Sequence, residues 1–148
     1  LKLPIFGKLF QKIYLARLAD NFGVLLKGGI PILQSLEVSA EAVGNEFYKK
    51  VILESKEQIR GGGTISSVFF QYKQIPPMFS QMILVGEKTG QIDFILQKLS
   101  NFYTQEVETA IAGLSQLLEP ILIVGLGIMV GILVGAILMP IYNIAGGM

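Results

Sequence analysis

The chain is expected to be all-α: an antiparallel six-helix bundle followed by a C-terminal transmembrane helix. Three observations carry that expectation. Glycines and prolines cut the first 119 residues into helix-sized pieces, none of which shows the alternation that marks a strand. Within those pieces apolar residues recur at three- and four-residue steps. Beyond Glu119 the chain carries no charge at all.

The first helix is expected from about Leu9 to Lys27, with Ile13, Leu15, Leu18, Phe22, Leu25 and Leu26 apolar. Gly28 and Gly29 end it, because glycine tolerates the left-handed backbone of a helix C-terminus. Pro31 opens the second helix, where Ile32, Leu33, Leu36, Ala40 and Val43 line one face and Gln34, Glu37 and Glu41 the other. Gly44 stops it. Asn45 has the short polar side chain of an N-cap, and a third helix follows with Phe47, Val51, Ser55 and Ile59 along one side, closed by Gly61, Gly62 and Gly63. Thr64 starts a short fourth helix. The residue before a proline disfavours helix, so Ile75 and Pro76 break the chain and Pro77 begins a fifth helix that ends near Gly86.

The sixth helix starts after Gly90 and keeps an apolar stripe through Ile95, Leu99, Phe102, Tyr103, Leu114 and Leu118. It then either enters the bilayer unbroken or is kinked at Pro120, whose ring removes a backbone hydrogen bond. The segment ILIVGLGIMVGILVGAILM, Ile121 to Met139, is uncharged and almost wholly apolar. At about 1.5 Å per residue a helix from Pro120 to Tyr142 reaches roughly 35 Å, enough to cross a hydrocarbon core. Its Ile, Leu and Val residues together favour insertion by roughly 4 to 7 kcal/mol before the glycines are discounted. Gly127, Gly131 and Gly135 fall on one face, and small residues at that spacing let another helix approach closely in lipid. All 12 basic residues precede this segment, so the bundle is expected in the cytoplasm.

Composition excludes several kinds of chemistry. Neither Cys nor His is present, which removes the thiolate ligand, the disulfide framework, the commonest metal ligand and the commonest general base. No cofactor is expected. A net charge of +1 without a basic block gives no electrostatic footprint for nucleic acid. A hydrolase built on Glu106 and Glu108 is disfavoured, since residues two apart on a helix point to different faces.

The stretch VGEKTGQID, Val85 to Asp93, sets two glycines around a glutamate and a lysine. A phosphate loop needs G-x-x-x-x-G-K-[ST] after a strand; here Glu87 precedes Lys88 and no strand is expected. The stretch is therefore read as a tight turn between helices five and six, with Gly86 and Gly90 permitting strained backbone and Asp93 favoured by the next helix's N-terminus. Glu87 is surplus to a turn. It caps amides locally, meets a partner together with Lys88 and Asp93, or joins Asp93 and Gln97 as oxygen ligands for a hard cation such as calcium. On the partner reading, Glu87→Ala leaves the fold intact and weakens assembly.

Taken together, LPIFGKL at Leu3–Leu9, LARLADNFGVLLKGGIPILQSLEVSAEAVGN at Leu15–Asn45, IRGGGTIS at Ile59–Ser66, IPPMFSQMILVGEKTGQID at Ile75–Asp93 and LLEPILIVGLGIMVGILVGAILMPIYN at Leu117–Asn143 resemble one family. It is the inner-membrane platform protein family of type II secretion and type IV pilus machines, in its C-terminal half. The resemblance implies a cytoplasmic helical bundle that occurs twice in the full protein, this chain holding the second copy and the last span. It divides the chain into a linker at 1–8 from an upstream membrane segment, a bundle at 9–119, a transmembrane helix at 120–142 and a non-cytoplasmic tail at 143–148. It also implies a non-enzymatic role, coupling a cytoplasmic assembly ATPase to pilin or pseudopilin subunits, with self-association into a homo-oligomer. A generic membrane-tethered helical adaptor is the alternative.

Overall fold

The computed structural model describes residues 4–147 and contains no strand among them. Six helices follow one another: α1 (Pro4–Lys27), α2 (Ile32–Ala42), α3 (Glu46–Arg60), α4 (Ile65–Phe69), α5 (Pro77–Thr89) and α6 (Ile92–Gly146). The chain divides into two compact units, the first ending at Glu108 and the second starting at Thr109. The two meet inside α6.

The first unit is a packed helical body. Its core draws on every helix: Leu18 and Phe22 from α1, Leu36 from α2, Ile52 from α3, Phe69 from α4, Phe79 and Ile83 from α5, and Leu96 and Leu99 from α6 are all at most 2% exposed. Phe79 sits at the centre of an aromatic run, its ring 5.8 Å from Phe69 and 5.7 Å from Tyr103. α1 lies antiparallel to the packed part of α6. Gly23 abuts Leu96, Ser100 Oγ donates to Asp20 at 3.4 Å, and Lys12 pairs with Glu106 at 2.7 Å. Three contacts in opposite sequence order fix that direction.

The caps explain where most helices stop. Asn45 Oδ1 accepts from the amides of Phe47 at 2.9 Å and Tyr48 at 3.2 Å, so the expected N-cap of α3 is present. After α1, Gly29 alone of the glycine pair takes positive φ, at 82°, and the Ile30 amide reaches back to the Leu25 carbonyl. Pro31 precedes α2, and its carbonyl accepts from the Ser35 amide at 2.9 Å.

Two boundaries differ from the sequence expectation, and at a third the structure takes one of the two alternatives. α1 begins at Pro4 rather than near Leu9; proline has no amide proton to leave unsatisfied in a first turn, so it starts the helix instead of lying in a linker. Residues 1–3 of that expected linker fall outside the described residues. α5 continues past Gly86 to Thr89, so the expected turn at VGEKTGQID shrinks to Gly90 and Gln91. α6 runs without interruption through Pro120 and Pro140 to Gly146, which makes the sixth helix and the apolar segment one helix.

The second unit consists of the rest of that helix. From Ile121 to Gly147 every residue is exposed, including Ile123, Ile128, Leu133 and Ile137. Nothing lies within 4 Å of where a Cβ would stand on Gly127, Gly131 or Gly135. An uncovered apolar cylinder of this length is stable only where lipid or other helices replace water.

Candidate partner-facing site

The VGEKTGQID residues sit at the end of the first unit where α5 gives way to α6. Gly90 terminates α5 with φ 69°, a left-handed value that glycine adopts without a Cβ penalty. The Gln91 amide then returns to the Gly86 carbonyl at 3.0 Å. Gly86 itself is helical and buried. A Cβ there would stand 3.0 Å from Ile92 Cα and 3.3 Å from Ile95 Cβ, so this glycine serves close packing of α5 on α6 rather than an unusual backbone.

Glu87 faces back onto α4. Its Oε1 accepts from the Ile65 amide at 2.5 Å; its Oε2 accepts from the Ser66 amide at 3.2 Å and from Ser66 Oγ at 2.5 Å. The Thr64 side chain accepts from the Ser67 amide at 3.3 Å. Thr64 and Glu87 together therefore satisfy three of the amides that a helix start leaves without a partner. A carboxylate at that position also meets the positive end of the helix. α4 has only five residues, too few to hold itself together, so this anchor matters more than it would on a long helix.

The structure does not bring the three proposed cation ligands together. Glu87 lines a shallow cavity of about 300 Å³ with Thr64, Gly63 and Ile32, whereas Asp93 and Gln97 line a separate recess of about 70 Å³ with Asp20, Lys27 and Asn101. Both Glu87 oxygens are already occupied by α4, and Lys27 brings a positive charge to the recess that holds Asp93. Because the carboxylate holds the start of α4, Glu87→Ala is expected to cost stability as well as any contact the residue makes. Of the three residues expected to meet a partner, Lys88 and Asp93 are exposed and Glu87 is half-buried.

Sequence reasoning missed Ile65 and Ser66 as the acceptors' donors, and Lys12 with Glu106 as a tie between α1 and α6. The stretch TISS does carry a cap signal at Thr64. Nothing local links it to a glutamate more than twenty residues later.

The Ser66 hydroxyl donates to Glu87, and at 1% exposed Ser66 is closed to a substrate. The first unit is a helical body with Lys88 and Asp93 exposed where α5 gives way to α6, and the second is a long apolar helix. That is the class of a helical protein with one helix long and apolar enough to cross a membrane. The family model for type II secretion system (T2SS) protein F matches residues 18–140, and the chain belongs to that family. It is 34% identical to the type IV pilus assembly protein PilC of Thermus thermophilus, covering 99% of this chain and 36% of that protein. It is 37% identical to the PilC of Myxococcus xanthus, over 97% of this chain and 34% of that protein. Identity to the type II secretion system protein F of Pseudomonas aeruginosa is 27%, over 97% of this chain and 36% of that protein. The chain thus spans about a third of the length of the relatives it matches.

Proposed function

We propose that this chain is part of a non-enzymatic inner-membrane platform, on which a cytoplasmic assembly ATPase is coupled to the addition of pilin or pseudopilin subunits to a filament. The observation that carries the reading is α6, a single helix of 55 residues whose first turns pack into the helical body and whose last part, from Pro120 on, is uncharged and exposed. A displacement imposed on the body reaches the apolar segment through one continuous backbone. Family membership supports the machine.

In this reading the first unit lies in the cytoplasm and the apolar part of α6 crosses the inner membrane, since all 12 basic residues precede it. Lys88 and Asp93, at the end remote from Glu106, are the contact residues for the ATPase. They stand on the order of 20 Å from Glu106, the rise of the intervening α6 turns. Gly127, Gly131 and Gly135 form the face on which a pilin helix or a second copy of the platform packs. Glu87 contributes by holding α4 in place.

The test is affinity capture from membranes containing the full-length parent, its ATPase and its pilins, comparing Lys88→Glu and Asp93→Lys with the parent. Loss of ATPase capture with unchanged thermal stability supports the assignment. Undiminished capture with both variants contradicts it, and points to an adaptor that docks elsewhere.

A further inference from the structure

We propose that the recess between α1 and the first turns of α6 receives the guanidinium of one arginine from the partner that contacts Asp93; the proposal rests on the partner reading given above.

Asp20 and Lys27 of α1 and Asp93, Gln97, Ser100 and Asn101 of α6 line a partly enclosed space of about 70 Å³. It lies beside the close crossing of these helices, where a Cβ on Gly23 would stand 3.2 Å from Leu96 Cβ. A single water needs roughly 10 to 15 Å³ of such space, so a few waters or one planar head group fit. The acceptors along it are mostly unused. Among the described residues, the side chains of Asp93, Gln97 and Asn101 make no hydrogen bond, and Asp20 accepts only from Ser100 Oγ, at 3.4 Å. Neither carboxylate joins an ion pair within 4.0 Å, and neither does Lys27.

Charge and hydrogen-bond capacity select the occupant. The contacts of Gly23 with Leu96 and of Asp20 with Ser100 set the antiparallel register, so Lys27 stands level with Asp93 and about 10 Å of helix rise from Asp20. The lysine offsets Asp93. Asp20 keeps an uncompensated charge, with the Gln97 and Asn101 carboxamides beside it. A carboxylate among amide oxygens is matched by a cation that only donates. Arginine carries five N–H donors in one plane and no acceptor, so a single head group bonds the carboxylate and both amides. A lysine ammonium is a compact point charge that is more strongly hydrated, and it leaves some of these acceptors unused. Both walls belong to packed helices, so the slot exists before a partner arrives and little ordering is needed on binding. Asp93 forms one end of it, which makes the recess continuous with the proposed partner contact.

The experiment is affinity capture of the ATPase by the full-length parent in membranes. Asp20→Asn removes the charge but keeps an oxygen for Ser100 to donate to, and Asn101→Ala removes one exposed amide, so both variants are expected to fold and melt like the parent. Each is expected to lower capture about fivefold, while Asp20→Glu retains it. On the unaltered parent, N-acetyl-arginine amide is expected to release the captured ATPase at a concentration at which N-acetyl-lysine amide does not. Full capture by Asp20→Asn and Asn101→Ala, with capture lost in Asp93→Lys, overturns the recess and leaves the partner contact standing. Full capture by all three variants overturns the partner contact and the proposal with it. Equal release by the two amides overturns the assignment of arginine.

Discussion

Replacing Glu87 with alanine removes the acceptor of three hydrogen bonds at the start of α4, two from the Ile65 and Ser66 amides and one from the Ser66 hydroxyl. Ile65 and Ser66 are 0% and 1% exposed, so water replaces the lost carboxylate poorly. A hydrogen bond to a charged group contributes about 1.5 to 3 kcal/mol, but three that share one carboxylate do not add. Loss of a helix cap alone costs about 0.5 to 2 kcal/mol. The Thr64 cap survives the change. These bounds place the cost for Glu87→Ala at about 2 to 3 kcal/mol, which lowers the melting temperature of a unit this size by roughly 10 °C. Thermal melts of the detergent-solubilised chain, followed by far-ultraviolet circular dichroism, measure it directly. Lys88→Ala, on the exposed side of the same turn of helix, is expected to melt within about 1 °C of the parent. Equal melting of Glu87→Ala and the parent would refute the capping argument and return Glu87 to the candidates for direct partner contact.

Three further outcomes follow from packing and burial. Gly86→Ala gains about 1 kcal/mol of helix propensity but drives a Cβ to 3.0 Å from Ile92 backbone, a clash costing about 1 to 3 kcal/mol, so net destabilisation of about 1 kcal/mol is expected in denaturant titration. A Cβ at Gly131 meets no neighbouring element within 4 Å, so Gly131→Ile should leave the melting of the chain unchanged, while co-purification with its membrane partners falls several-fold. Burial pushes the Tyr48 and Tyr103 hydroxyls from the ordinary 10.0 up to about 12, with neighbouring Tyr103 and Tyr14 adding to the shift at Tyr48 and Glu106 adding to it at Tyr103. The unfolded chain thus loses these protons first, so the contribution of these two tyrosines to stability is expected to be constant below pH 10 and to be lost between pH 10 and about 12. Tyr48→Phe and Tyr103→Phe should each flatten that fall in alkaline denaturation curves.

Much of the helix order was readable because its signals are local. Asn45 before an amphipathic run, the Gly28–Gly29 pair before Pro31, and Pro77 after Ile75–Pro76 each act within a few residues, and each marks an observed boundary. Gly86 misled because glycine serves two purposes that sequence does not separate. It was read as conformational freedom, but it is a buried helical glycine that admits the backbone of Ile92. Pro4 misled in a similar way, since a proline followed by Gly7 resembles linker punctuation as much as a helix start.

The site was legible only as a list of polar residues. Glu87 stands out in a helix that is otherwise apolar or small on that face, yet its purpose depends on Ile65 and Ser66, brought to it by folding. The separation of Glu87 from Asp93 and Gln97 into different cavities depends likewise on α5 continuing to Thr89. The apolar half of α6 was the most secure feature, because a long uncharged run needs no tertiary contact to be recognised.

The platform account is tested most directly by crosslinking from single cysteines, which this chain allows because it has none of its own. Lys88→Cys and Gly131→Cys are introduced into a cysteine-free full-length parent, in membranes that also hold its ATPase and pilins. The account predicts that position 88 traps the ATPase, and that position 131 traps a pilin or a second copy of the platform. Neither position trapping any component while the helical body remains folded would contradict it.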